Sequence, residues 1–160
     1  MKKSLAAILT VVIILAAFAG CGGKDTETSV EPLVNDVASA VVEATAFKDS
    51  LSQLEGDAVF NIYNLEESQL EDKAVYVGTG ATAEEVAVFK AKTADDVEKI
   101  KAAIQERLED QTFNFQNYVP GEMTKIENPL IAANGNYVML VLADDSAAAQ
   151  QAFDAQFTEK

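Results

Sequence analysis

Carboxylates are the most plentiful reactive groups in this chain, and Glu66, Glu67, Glu71 and Asp72 gather four of them in one short segment. Two acids facing each other across a cleft, about 5 to 10 Å apart, could hydrolyse a glycosidic bond. Acids adjacent in sequence usually form a solvated face instead. The segment after residue 20 holds no Gly-x-Ser-x-Gly elbow and no Ser-x-x-Lys pattern. The 160 residues include no His and one Cys, which removes Ser-His-Asp and Cys-His machinery, imidazole ligands, an internal disulfide and thiolate zinc clusters. Catalytic residues are therefore expected to be absent, and a carboxylate hydrolase acting on wall polymer is the third-ranked reading.

Other ligand chemistries fare no better. A calcium loop needs alternating oxygen ligands around a Gly, a spacing that Glu66-Glu67 and Asp144-Asp145 lack; both pairs read as acids at helix starts. Gly78-Thr79-Gly80 follows an apolar run but continues into no Gly-x-x-x-x-Gly-Lys motif, so it reads as a tight turn. No metal and no cofactor are expected. The formal charge of −14 argues against nucleic acid, whose binding needs a basic face. The aromatic residues Phe113, Phe115 and Tyr118 crowd one segment. Core filling at a helix end is the favoured reading, and an exposed patch that anchors a partner is the sharper one.

The N-terminus carries the most specific signal. Lys2 and Lys3 precede an uncharged run from Leu5 to Phe18, and small residues follow. This is the three-part secretory pattern. The run is short for a membrane span, which needs about 20 apolar residues. Phe18-Ala19-Gly20-Cys21 resembles the bacterial lipobox, with Phe18 where an aliphatic residue is usual. That resemblance implies cleavage before Cys21 and a diacylglycerol on its sulfur, which also disposes of an otherwise unpaired Cys in a secreted chain. Two acyl chains hold a protein on a membrane stably. The expected division is a signal peptide over 1–20, a lipidated Cys and flexible tether over 21–31, and a single domain over 32–160. The expected place is the outer face of the bacterial cell membrane. Fully extended, residues 22–31 reach at most about 35 Å, so the domain would work close to the bilayer. Without Lys2 and Lys3 its charge is −16.

The elements that must position any site follow from periodicity. Leu33, Val37, Val41 and Ala44 predict a helix over 33–47, opened by Pro32. The acidic stretch 66–72 predicts a short helix or turn. Val75-Tyr76-Val77 and residues 85–92 read as neighbouring strands, the second with Val86, Val88 and Lys90 on one face and Ala87, Phe89 and Ala91 on the other. Val97, Ile100, Ile104 and Leu108 mark a helix over 94–111, capped by Thr93 with Asp96 three residues on. Pro120-Gly121 marks a turn. Met123–Glu127 and Leu130–Ala133 read as strand pieces. Asn134-Gly135 predicts a hairpin with a type I′ turn. The unbroken apolar run Tyr137–Ala143 suits a strand covered on both faces. Asp144-Asp145-Ser146 caps a last helix in which Ala149, Phe153 and Phe157 recur. The fold class is α+β: an antiparallel sheet of about four strands with helices packed on it, in the order α-β-β-α-β-β-α.

Glu85-Val-Ala-Val-Phe-Lys-Ala-Lys, Val97-Glu-Lys-Ile-Lys-Ala-Ala-Ile-Gln-Glu-Arg-Leu-Glu, Tyr118-Val-Pro and Gly135-Asn-Tyr-Val-Met-Leu-Val-Leu occur in that order. Together with the lipobox they resemble the uncharacterised lipoproteins of domain-of-unknown-function family 4358, found mainly in clostridial Gram-positive bacteria. The likeness spans about residues 33–157. It implies a small extracytoplasmic lipoprotein and carries no catalytic residue across. The leading functional expectation is an acidic, membrane-tethered module that binds an envelope protein or wall polymer. A small-ligand-binding lipoprotein is the alternative.

Overall fold

The computed structural model describes residues 31–158. The secretory segment, Phe18, Ala19, Gly20, Cys21 and most of the expected tether lie outside the described residues.

Five antiparallel strands form one sheet in the order β1-β2-β3-β5-β4. They are β1 (Ser52–Gln53), β2 (Leu70–Val77), β3 (Glu85–Ala91), β4 (Leu130–Asn134) and β5 (Tyr137–Leu142). Five helices, α1 (Val34–Ala44), α2 (Ala58–Tyr63), α3 (Ala94–Phe115), α4 (Met123–Glu127) and α5 (Ala147–Ala155), cover both faces, so the expected α+β class holds with one strand more than expected. The added strand, β1, is two residues long and exists through its pairing with Tyr76 and Val77.

The two faces follow from the strand period of two. Val75, Ala87, Phe89, Val138, Leu140 and Leu142 pack with buried residues of α2, α3 and α4, including Tyr63, Ile100, Ile104 and Ile126. Ala74, Val86, Val88, Met139 and Val141 pack with α1 and α5 through Val37, Val41, Ala149 and Phe153. Every residue of β5 is buried, which is why its sequence is apolar without alternation.

In α3 the buried stripe runs on through Gln111 to Phe115, so this helix is one turn longer than the apolar spacing predicts. Thr93 caps it as expected: its Oγ1 accepts the Asp96 amide at 3.2 Å and donates to Asp96 Oδ2 at 2.6 Å. α1 begins after Leu33, whose extended backbone leaves it 69% exposed; Val34 and Ala38 take the buried places expected of Leu33 and Ala44. The acidic stretch forms a 3-10 turn at Glu67–Gln69 and then becomes β2.

Three local expectations need correction. Met123–Glu127 is helical, not a strand. A 3-10 turn at Pro120–Glu122 runs straight into it, and Met123 and Ile126 share one side at a spacing of three. Five residues are too few for periodicity to separate helix from strand. The β4–β5 loop consists of Gly135 and Asn136, since Asn134 pairs with Tyr137. Positive φ falls on Gly135 alone, at +54°, as in a type II′ turn rather than I′. At the start of α5, Ser146 makes no capping bond; Asp145 Oδ1 accepts the Ala147 amide instead.

Candidate functional site

β3 starts at one pole of the sheet and ends at the other, and the two poles differ. At the far pole Lys90 binds Glu71 at 2.6 Å and Glu31 at 3.1 Å, while the Tyr137 hydroxyl donates to the Pro32 carbonyl at 2.7 Å. Those contacts fix where the chain enters the described structure. α3 sets out from this end and runs back about 33 Å, longer than the roughly 24 Å of β3, so Phe115 arrives at the opposite pole.

At that opposite pole the chain places two consecutive acids, Glu84 and Glu85, both fully buried. Glu85 is on the same strand face as Ala87 and Phe89, under α3. It accepts the Tyr63 hydroxyl at 2.5 Å, Arg107 Nη2 at 2.8 Å, Arg107 Nε at 3.2 Å and Gln111 Nε2 at 3.2 Å. Arg107 and Gln111 reach it together because they stand one helical turn apart. Burial works against the Arg107 charge, but Glu85 outweighs it and raises the guanidinium pKa. Burial first, and Glu85 second, push the Tyr63 phenol well above its ordinary value, so it acts as a donor.

Glu84 belongs to a second cluster. Its carboxylate accepts the backbone amides of Lys48 and Asp49 at 2.9 and 2.8 Å, and Lys125 Nζ lies at 3.2 Å. The same ammonium reaches Glu122 at 2.8 Å and Asp144 at 3.7 Å. Glu122 also accepts the Ala83 amide at 2.9 Å. Three carboxylates thus surround an ammonium group, and four loops meet on it. Burial opposes the charge of Lys125, yet Glu122 and Glu84 prevail and its pKa is raised. Nearby, Asp49 accepts the Thr79 hydroxyl and amide at 2.7 Å each, bonds that hold its carboxyl below the usual range. They tie down Thr79 in the connection from Val77 to Glu85, whose seven residues form a longer loop instead of the tight turn that the sequence suggests.

Between the two clusters opens a cleft of about 210 Å³. Leu54, Ile62, Val77 and Phe115 give it apolar walls, and Glu85, Arg107 and Gln111 lie at its polar side. Every buried side-chain polar atom among the described residues has a partner. These groups are arranged to hold the pole rigid, and the buried acids are already saturated with donors. Among the described residues no cluster of His, Cys, Asp or Glu is arranged to hold a metal ion.

The three aromatic residues singled out in sequence are split by the fold. Phe115 is 8% exposed and belongs to the core, whereas Phe113 and Tyr118 are 75% and 85% exposed at the same pole as the cleft. Neither expectation holds for all three, because Phe113 and Phe115 stand on different sides of one helix. The acids Glu66, Glu67, Glu71 and Asp72 are exposed. Sequence reading missed Glu84, Glu85, Arg107, Gln111, Glu122 and Lys125. One signal was available for Glu85: it shares its period-two face with Ala87, Phe89 and Ala91.

A family model described as "Domain of unknown function (DUF4358)" matches residues 43–143, from the last turn of α1 to the end of β5. That stretch is well over half of the chain, and the chain belongs to this family. No curated protein and no solved structure matches it.

Proposed function

We propose that this member of the DUF4358 family is a membrane-anchored extracytoplasmic lipoprotein whose domain binds a protein or polymer of the cell envelope. It performs no chemistry of its own. The observation that carries this reading is the polarity of the fold. The Glu31–Lys90 and Pro32–Tyr137 contacts bring the tether in at one end of β3. The exposed rings of Phe113 and Tyr118 and the cleft stand at the other, about 17 Å away along the strand. A diacylglycerol on Cys21 would hold the first pole near the bilayer and present the second outward. No described helix is long and apolar enough to cross a membrane. The saturated hydrogen bonding of Glu84 and Glu85 supports binding over hydrolysis.

A photo-crosslinking amino acid at position 113, in intact cells, tests the reading. Position 113 should capture one reproducible envelope partner and position 33, equally exposed at the entry pole, should not. Equal capture from both, or none from 113, would sink it. Cys21→Ala should leave the protein unprocessed or release it from membranes; normal processing with full retention would refute the anchor.

The cleft favours a second reading, a small-ligand binder. At about 210 Å³ it is smaller than the roughly 300 to 1,000 Å³ of most ligand pockets, so its occupant would be a very small molecule. Native mass spectrometry of protein purified from membranes would reveal a retained ligand as added mass.

A further inference from the structure

The exposed face at the end of α3 combines aromatic rings with carboxylates. Glu106, Glu109, Asp110 and Phe113 recur at 3, 4 and 7 from the first, so they share one side of the helix, and all four are exposed. Tyr118 follows just beyond the helix end, where its amide bonds the Phe115 carbonyl. The sequence from 102 to 158 holds two cations, Arg107 and Lys125. Both are turned inward, onto Glu85 and onto Glu122 with Glu84. Two large aromatic rings therefore stand in solvent beside carboxylates, both cations of residues 102–158 are spent on buried acids, and Lys48 at this pole is paired with Asp144 at 2.7 Å.

From this charge pattern we propose that the α3 end face docks a basic protein segment, in which Lys or Arg side chains alternate with apolar ones. The proposal rests on the interaction-module reading above and names its partner chemistry. Aromatic rings attract cations over their faces and supply apolar contact area at little entropic cost. The carboxylates of Glu109 and Asp110 would add attraction and steer the encounter. A second copy of this chain is a poor occupant. A symmetric dimer through this face would lay Glu106, Glu109 and Asp110 against themselves. Anionic polymers are repelled for the same reason.

The test uses the full lipidated protein in a non-ionic detergent and a short fluorescent peptide of Lys, Leu and Gly. The control peptide has Glu in place of Lys. Fluorescence anisotropy should show binding of the Lys peptide that weakens as salt shortens the screening length from about 10 Å at 0.1 M to about 3 Å at 1 M. Phe113→Ala with Tyr118→Ala should weaken it about tenfold or more, as truncation of aromatic anchors does. Glu109→Gln with Asp110→Asn should weaken it several-fold and flatten the salt dependence. Asp36→Asn with Glu43→Gln removes the same charge from α1 and should change little. Because all six positions are exposed, the variants should melt with the parent.

Equal binding of the Glu peptide, or equal loss from the α1 control, would overturn the proposal. So would binding of a neutral polysaccharide that needs both rings and ignores salt. A cellular crosslink from position 113 to a partner segment without Lys or Arg would overturn it while leaving the interaction module standing.

Discussion

Lys125→Met tests whether one ammonium group organises the cleft pole. Methionine keeps most of the stem and removes the charge. Glu84 and Glu122, with side chains 0% and 10% exposed, would then face each other with backbone amides but no cation. Breaking a buried ion pair from one side typically costs about 3 to 5 kcal/mol. With an unfolding entropy near 2.1 cal/mol/K per residue, the described residues contribute roughly 0.27 kcal/mol/K, so the melting temperature should fall by about 10 to 20 °C. Calorimetry at neutral pH reads the change, and a fall under about 3 °C would refute the idea that the cluster depends on this charge. Adding Glu84→Gln should recover part of the loss, since one stranded charge disappears.

Thr93→Ala should cost about 0.5 to 2 kcal/mol in urea unfolding, because the cap of α3 is lost; an unchanged midpoint would assign the helix start to other contacts. Tyr63→Phe takes one donor from the buried Glu85 carboxylate and should cost about 1 to 3 kcal/mol. The same change should shrink the late tyrosine absorbance rise in alkali, to which Tyr137 also contributes. At Gly78 an added Cβ would lie 2.8 Å from Asp49 Oδ2 and 3.0 Å from Thr82 Oγ1. Gly78→Ala should displace the Asp49 carboxylate and lower the melting temperature, with the Thr79 amide exchanging faster by NMR; unaltered exchange would mean that the loop stands without Asp49.

Much of this architecture is legible in the chain because it is written in local periods. The α3 stripe, its Thr93 cap, the two-faced β3 and the uninterrupted β5 each announce themselves within a few residues. α4 and β1 do not, since five residues and two residues carry no period, and β1 is defined by a partner more than twenty positions away. The pole was the least legible part. Charge normally signals exposure, and Lys, Glu and Arg are buried only when paired. The pairs here join positions 48, 84, 122, 125 and 144, and no reading along the chain brings those together. α3 runs past the point where its apolar spacing falters and takes in both Phe113 and Phe115, which at two positions apart fall on different sides of it.

Under the proposed lipid anchor, the short edge strand has a consequence for life in a crowded layer. β1 covers β2 at Tyr76 and Val77, so the outer side of β2 from Leu70 to Ala74 has no partner strand among the described residues. Proteins anchored to one bilayer diffuse in a plane and share an orientation, which brings equivalent edges past each other far more often than in solution. An uncovered edge of that kind invites a neighbour's strand. Here it carries Glu71, Asp72 and Lys73, with a shift in register between Leu70 and Asp72 that bends it. Two copies sliding into register would set those charges against their own kind. On a protein anchored as proposed, such an edge would suit dense packing without polymerising.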